Sequence, residues 1–159
     1  FPLILSLLMV NDVMAVDVKD SIPACSFNRL EKEISLLDLK QFSGKVIYLD
    51  FWASWCGPCV KSFPYMNFLH RNFKSQGLKI VAVNLDENID DAIGFLEKIP
   101  ADFHIVRDAE QQCAKAFDVK AMPSSYLIDR KGVVRHVHLG FREGETEELQ
   151  ALIEQLLAE

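Results

Sequence analysis

KVIYLDFWASWCGPCVKSFP, residues 45–64, decides the fold. Its first nine residues form a nearly continuous apolar run, rich in β-branched and aromatic side chains. That is the pattern of a strand buried on both faces. Two cysteines follow, Cys56 and Cys59, with Gly57 and Pro58 between them. Beyond them Cys59, Phe63, Met66, His70 and Phe73 recur at helical spacing, so 57–76 reads as a helix. Pro64 is expected to kink it and Gly77 to end it. Strand, tight turn and helix start together put Cys56 at a helix N-terminus.

A pair of this spacing can be half of a metal site, a haem attachment or a disulfide-exchange pair. A structural zinc site takes about four ligands. No second pair exists, Cys25 and Cys113 lie far from this one, and no histidine stands at a matching spacing. Covalent haem attachment wants a histidine after the second cysteine, and Val60 occupies that place. No metal or other cofactor is expected. Exchange fits best. Unpaired backbone N–H groups and the helix dipole favour a thiolate at Cys56, and the thiolate is the attacking species. Cys59 lies one turn deeper on the same helical face, where it can resolve a mixed disulfide. Proline suits the first turn, where its missing N–H has no partner to lose.

Asp50 is an acid inside an apolar strand. The plain reading is a strand-end residue facing solvent. Alternation, however, puts it on one face with Trp52, and a buried carboxylate with a raised pKa could move a proton to and from Cys59. The second reading is preferred, since lone buried acids are rare. MPSSYLID (122–129) is the other stretch of interest. Pro123 could simply open an edge strand, or could be a cis-proline placing a peptide edge beside the thiols.

The chain has 159 residues, half of them hydrophobic, which suits one domain with a real core. A net charge of −6 argues against nucleic-acid binding. Four cysteines are too few for a disulfide scaffold. FPLILSLLMV (1–10) is too short to span a bilayer as a helix. Residues 1–15 read as the remnant of a secretory signal, with Ala15 at the cleavage site. A packed apolar segment, or a lipidated Cys25 after IPAC (22–25), are the alternatives.

Along the chain, ISLLDLKQF (34–42) is apolar at mixed spacing and ends at Gly44. The spacing then predicts strands at 78–85 and 103–108, helices at 90–99 and 110–117, a hairpin over 124–140 turning at DRKG, and an amphipathic helix over 144–159. Alternating elements predict parallel early strands, and the tight turn makes the last two antiparallel. The fold class is α/β, a mixed central sheet with helices on both faces.

WCGPC with Asp50 six residues before Cys56, and MP ahead of a strand and hairpin, resembles the thioredoxin superfamily. FPYM (63–66), VAVNLDEN (81–88) and the extra strand–helix material at 86–108 resemble the TlpA/DsbE/ResA-like thiol-disulfide oxidoreductases of the bacterial envelope. The resemblance covers about residues 26–158. It implies a thioredoxin-like fold with an insert before the cis-proline strand, Cys56 as attacking and Cys59 as resolving cysteine, and Asp50 as the buried acid. It implies further that Trp55, Gly57 and Pro58 shape the rim, that Pro123 is cis, and that Met122 offers backbone groups to a bound peptide. Protein thiols and disulfides are the implied partners, with a membrane thiol donor supplying electrons to a monomer in the periplasm or envelope. Membrane contact would come only through the N-terminal segment. Asp50 stands where many envelope relatives have Asn, which is more thioredoxin-like. Ser62 stands where cytochrome-maturation members often have Glu, which weakens an assignment to haem-protein maturation. A reductant is expected, since Gly57–Pro58 resembles thioredoxin.

Two other functions use the same fold. A thiol peroxidase wants a lone peroxidatic cysteine in a different context. A peptide-binding or chaperone module could dispense with the cysteine pair. Of the remaining cysteines, Cys113 reads as a core residue. A disulfide from Cys25 to Cys113 is geometrically open, with nothing in the sequence to support it. His136 and His138 share a strand face without a third ligand and read as surface residues.

Overall fold

The computed structural model describes residues 16–30 and 32–159; the expected leader, 1–15, lies outside them. Among the described residues seven strands form one sheet in the order β2-β1-β5-β4-β3-β6-β7. They are β1 (Ser26–Arg29), β2 (Lys32–Asp38), β3 (Val46–Trp52), β4 (Leu78–Asn84), β5 (His104–Arg107), β6 (Ser124–Ile128) and β7 (Val134–Leu139). The helices are α1 (Gly57–Phe73), α2 (Ile89–Lys98), α3 (Gln112–Ala116) and α4 (Thr146–Ala158). β3, β4 and β5 run parallel, while β6 pairs antiparallel with both β3 and β7. The mixed sheet, parallel first and antiparallel last, is the one the pattern of elements predicts.

β3 is the middle of the molecule, and all seven of its residues are buried. Its alternation splits the core in two. Val46, Tyr48 and Trp52 face a layer built from α1, α2 and α4. Ile47, Leu49 and Phe51 face the opposite layer, covered by α3, a 3₁₀ turn at Leu39–Phe42 and the segment around Cys25. Trp52 is packed edge-on by Phe63 at 4.8 Å and tilted against Phe95 at 4.8 Å. Across the sheet Phe51, Phe117 and Tyr126 form a second aromatic group.

Local chemistry sets the ends. α1 runs through Pro64, whose ring removes one N–H, and passes into a 3₁₀ turn closed by Gly77 at φ 107°. Only glycine takes that conformation freely, and a Cβ there would meet Arg130 Nη1 at 3.0 Å. Asn88 caps α2, accepting from the Asp90 N–H at 3.0 Å, with Asp90 and Asp91 in the first turn.

The structure adds a hairpin that the sequence pattern leaves unassigned. β1 and β2 pair antiparallel, Phe27 opposite Leu37, and extend the sheet beyond β5. The mixed spacing of 34–42 has a cause. The strand stops at Asp38, whose carboxylate accepts from the Lys40 N–H at 2.9 Å and opens the 3₁₀ turn.

Candidate active site

The chain leaves the carboxyl end of β3 at Trp52 and enters α1 at Gly57, with Cys56 as the cap residue. Cys56 and Cys59 are disulfide-bonded, their Cα atoms 5.3 Å apart. The Cys59 N–H donates to the Cys56 carbonyl at 3.2 Å, and the Cys56 N–H to the Ala53 carbonyl at 3.1 Å. Pro58 falls in the first turn, as its missing N–H favours. Cys59 is fully buried, while Cys56 keeps 4% of its surface. An incoming thiol therefore meets Cys56 first. Trp55 beside it is 73% exposed and Val60, on the first turn of α1, 45%. They make an apolar rim on the open side.

Asp50 is fully buried on the α1 face of β3. The solvent-facing alternative is thus set aside. Its antiparallel partner in β6 is Ser125, whose hydroxyl donates to Asp50 Oδ1 at 2.6 Å. The Tyr48 hydroxyl donates in turn to Ser125 Oγ at 3.1 Å. Tyr48 stands two residues before Asp50, on the same strand face. Burial, and then the nearby Asp50 carboxylate, raise the Tyr48 phenol well above its ordinary range, so it stays a donor. Two hydroxyls in series thus point at one carboxylate. Burial pushes Asp50 up to about 7, and the Ser125 hydrogen bond pulls the other way. Asp50 Oδ2 has no hydrogen-bond partner among the described residues. With Oδ1 already accepting, Oδ2 is the oxygen that carries the proton when the acid is neutral.

A second acid holds the cysteine loop from outside. Asp86 is buried just past β4. Its carboxylate accepts from the Ser54 N–H at 2.9 Å, the Ser54 hydroxyl at 2.8 Å and Asn84 Nδ2 at 2.7 Å. The Leu85 N–H reaches the Trp52 carbonyl at 2.9 Å. The loop between β3 and α1 is therefore latched to the end of β4. Tyr48, Ser125, Ser54 and Asp86 are the residues that sequence reasoning missed. Tyr48 had a signal, its place two before Asp50. Ser125 did not, because strand pairing is not written in the sequence.

Met122–Pro123 is a cis peptide. Ser124 pairs with Phe51, so the register carries Pro123 opposite Trp52, at the end of β3 from which the cysteine loop departs. Met122 packs against the core cluster that holds Cys56 and Cys59. The expected site residues thus gather at one end of the sheet. His138, expected at the surface, is instead half-buried, with Nε2 3.2 Å from Glu145 Oε2.

The Redoxin family model matches residues 17–153. The chain belongs to the redoxin family. Thiol-disulfide oxidoreductase ResA of Bacillus subtilis (strain 168) is 42% identical over 109 residues, covering 69% of this chain and 59% of that protein. ResA of Bacillus thuringiensis (strain Al Hakam) is 34% identical over 125 residues, covering 79% and 69%. This redoxin thus spans about three fifths of the length of the first of these curated relatives. Among solved structures, a candidate thiol:disulfide interchange protein DsbE from Chlorobium tepidum superposes with TM-score 0.85. The two are 41% identical, covering 90% of this chain and 99% of that one. The thioredoxin-like fold that the residues resemble is the fold of this redoxin.

Proposed function

We propose that this redoxin is a thiol-disulfide oxidoreductase that exchanges disulfides with protein substrates through Cys56 and Cys59, acting as a reductant in the bacterial envelope. The observation that carries this reading is the Cys56–Cys59 disulfide at the start of α1, with a buried, protonatable Asp50 on the strand face beneath that helix. The names of its relatives support the activity.

In the reduced protein the Cys56 thiolate attacks one sulfur of a substrate disulfide and releases the other as a thiol. Cys59 then gives its proton to Asp50 and attacks the Cys56 sulfur. The second substrate thiol leaves with a proton, and the Cys56–Cys59 disulfide is restored. Trp55, Gly57 and Pro58 form the face the substrate meets. The backbone groups of Met122 pair with its extended chain, and Pro123, whose carbonyl is held by the Gly140 N–H, faces the thiols. The spent pair takes two electrons from a membrane thiol donor, and the protein works as a monomer.

The reduction potential of the Cys56–Cys59 pair, measured with Cys25→Ser and Cys113→Ser in place, tests the direction. A value close to that of thioredoxin, roughly −270 mV, is expected. A value near roughly −120 mV would reverse the flow and make the protein a disulfide donor.

A further inference from the structure

Two thiols are not used by the reaction above. Cys25 and Cys113 are reduced and buried, on the sheet face opposite the Cys56–Cys59 pair. The backbone delivers them to one place. β1 pairs with β5, Asn28 against Arg107, and continuing that register carries Cys25 opposite residue 110, just before α3. α3 is tied back onto the end of β5, where the Ala114 N–H donates to Asp108 Oδ2 at 2.8 Å. The Asp108 N–H in turn holds the Asn84 carbonyl at 3.1 Å. At this junction Cys25 and Cys113 share one buried cluster, and each thiol is the largest influence on the other's titration. The four cysteines of the chain thus fall into two pairs, one bonded and one brought together in a single buried cluster.

From this juxtaposition we propose that Cys25 and Cys113 are a second disulfide site, closed by exchange with an external disulfide, that staples the N-terminal hairpin to α3. Cys25 is the sulfur that starts it. It lies in the extended segment ahead of β1 rather than in a helix. The Cys113 S–H favours a thiolate at Cys25, outweighing burial and the Asp108 carboxylate, which oppose it. The Cys25 thiolate attacks one sulfur of the external disulfide, whose other half leaves and takes a proton. Cys113 then loses its proton and attacks the Cys25 sulfur, expelling the second half as a thiol. Two protein thiols are oxidised, and one external disulfide is reduced to two thiols.

The bond closes a loop that holds β1 through α3, including the cysteine loop and α1. Restricting the unfolded chain over so long a loop raises the melting temperature by on the order of 10 °C. The staple is independent of the direction in which the Cys56–Cys59 pair runs.

The test refolds the reduced, unfolded wild-type chain in a buffer of glutathione and glutathione disulfide, followed by acid quench, alkylation and peptide mapping. A Cys25–Cys113 linked peptide, beside the Cys56–Cys59 one, is the expected result. In the Cys56→Ser/Cys59→Ser chain, where the staple is the sole disulfide, reduction lowers the melting temperature by on the order of 10 °C. The Cys25→Ser/Cys113→Ser chain keeps wild-type disulfide exchange. Chains with Cys56–Cys59 oxidised but Cys25 and Cys113 both alkylated, or each carrying its own glutathione, would overturn the proposal. That mapping is read on the wild-type chain, so it decides even where a variant fails to fold, and it does not depend on substrate turnover.

Discussion

Asp50→Asn should stabilise the folded protein at alkaline pH and leave it nearly unchanged at acid pH. The folded acid, pushed from 3.8 to about 7 by burial, keeps its proton in a range where the unfolded acid has lost it. Between those values the native state binds one proton more than the unfolded state, so stability falls as pH rises through the window and levels off above it. At 1.36 kcal/mol for each tenfold change in proton concentration, the gap amounts to about 4 kcal/mol of destabilisation by pH 8. Asparagine keeps the shape and the hydrogen bond from Ser125 and does not titrate. The assay is urea unfolding of the oxidised chain, wild type and variant, at pH 4, 6 and 8, followed by far-ultraviolet circular dichroism. Keeping the disulfide closed removes Cys56 and Cys59 from the titration, and the other groups cancel in the difference. The variant should gain about 4 kcal/mol on wild type between pH 4 and pH 8. Parallel stability curves, or a wild type that gains on the variant, would refute the reasoning that Asp50 is a neutral acid in a dry site. The same variant should slow disulfide exchange by about 10² or more, the usual worth of a placed proton acceptor.

Ser125→Ala removes the donor to Asp50 and leaves the Tyr48 hydroxyl without a partner, so it should cost about 1–3 kcal/mol and move the pH midpoint of exchange upward. A pH–rate profile reads this, and Ser125→Thr should restore it. Asp86→Ala strands the Ser54 N–H, the Ser54 hydroxyl and Asn84 Nδ2 together, and should lower stability by about 2–4 kcal/mol in urea melts while slowing exchange through a loosened loop. Phe63→Ala opens the aromatic group under α1, where Phe63 meets Trp52, Phe95 and Phe103, and should cost about 3–5 kcal/mol by the same melts.

Much of this architecture is legible in the sequence because its signals are local. The apolar run before Cys56, the helical spacing after it and the turn at DRKG each name an element from neighbouring residues alone. The face on which Asp50 lies follows from the two-residue period of a strand. The β1–β2 hairpin was not legible. β1 is four residues long and buries only Phe27, too little for a periodic signal. The Asp50 network was half legible. Tyr48 and Asp50 share a face by alternation, yet Ser125 meets them only through a strand register set by the whole sheet. Asp86 likewise acts on a loop 32 residues earlier in the chain, a relation that the β3–β4 pairing creates. The placing of Cys25 and Cys113 in one cluster has the same origin, since it needs β1 beside β5 and α3 folded back on Asp108.

In the proposed exchange Cys56 makes and breaks bonds with substrate while Cys59 resolves. Trapping tests it directly. The reduced Cys59→Ser chain, given a peptide disulfide probe, should accumulate one covalent adduct, mapped to Cys56. The reduced Cys56→Ser chain should accumulate none on the same timescale. Adducts at Cys59 forming as fast as those at Cys56, or no adduct in either chain, would contradict the account.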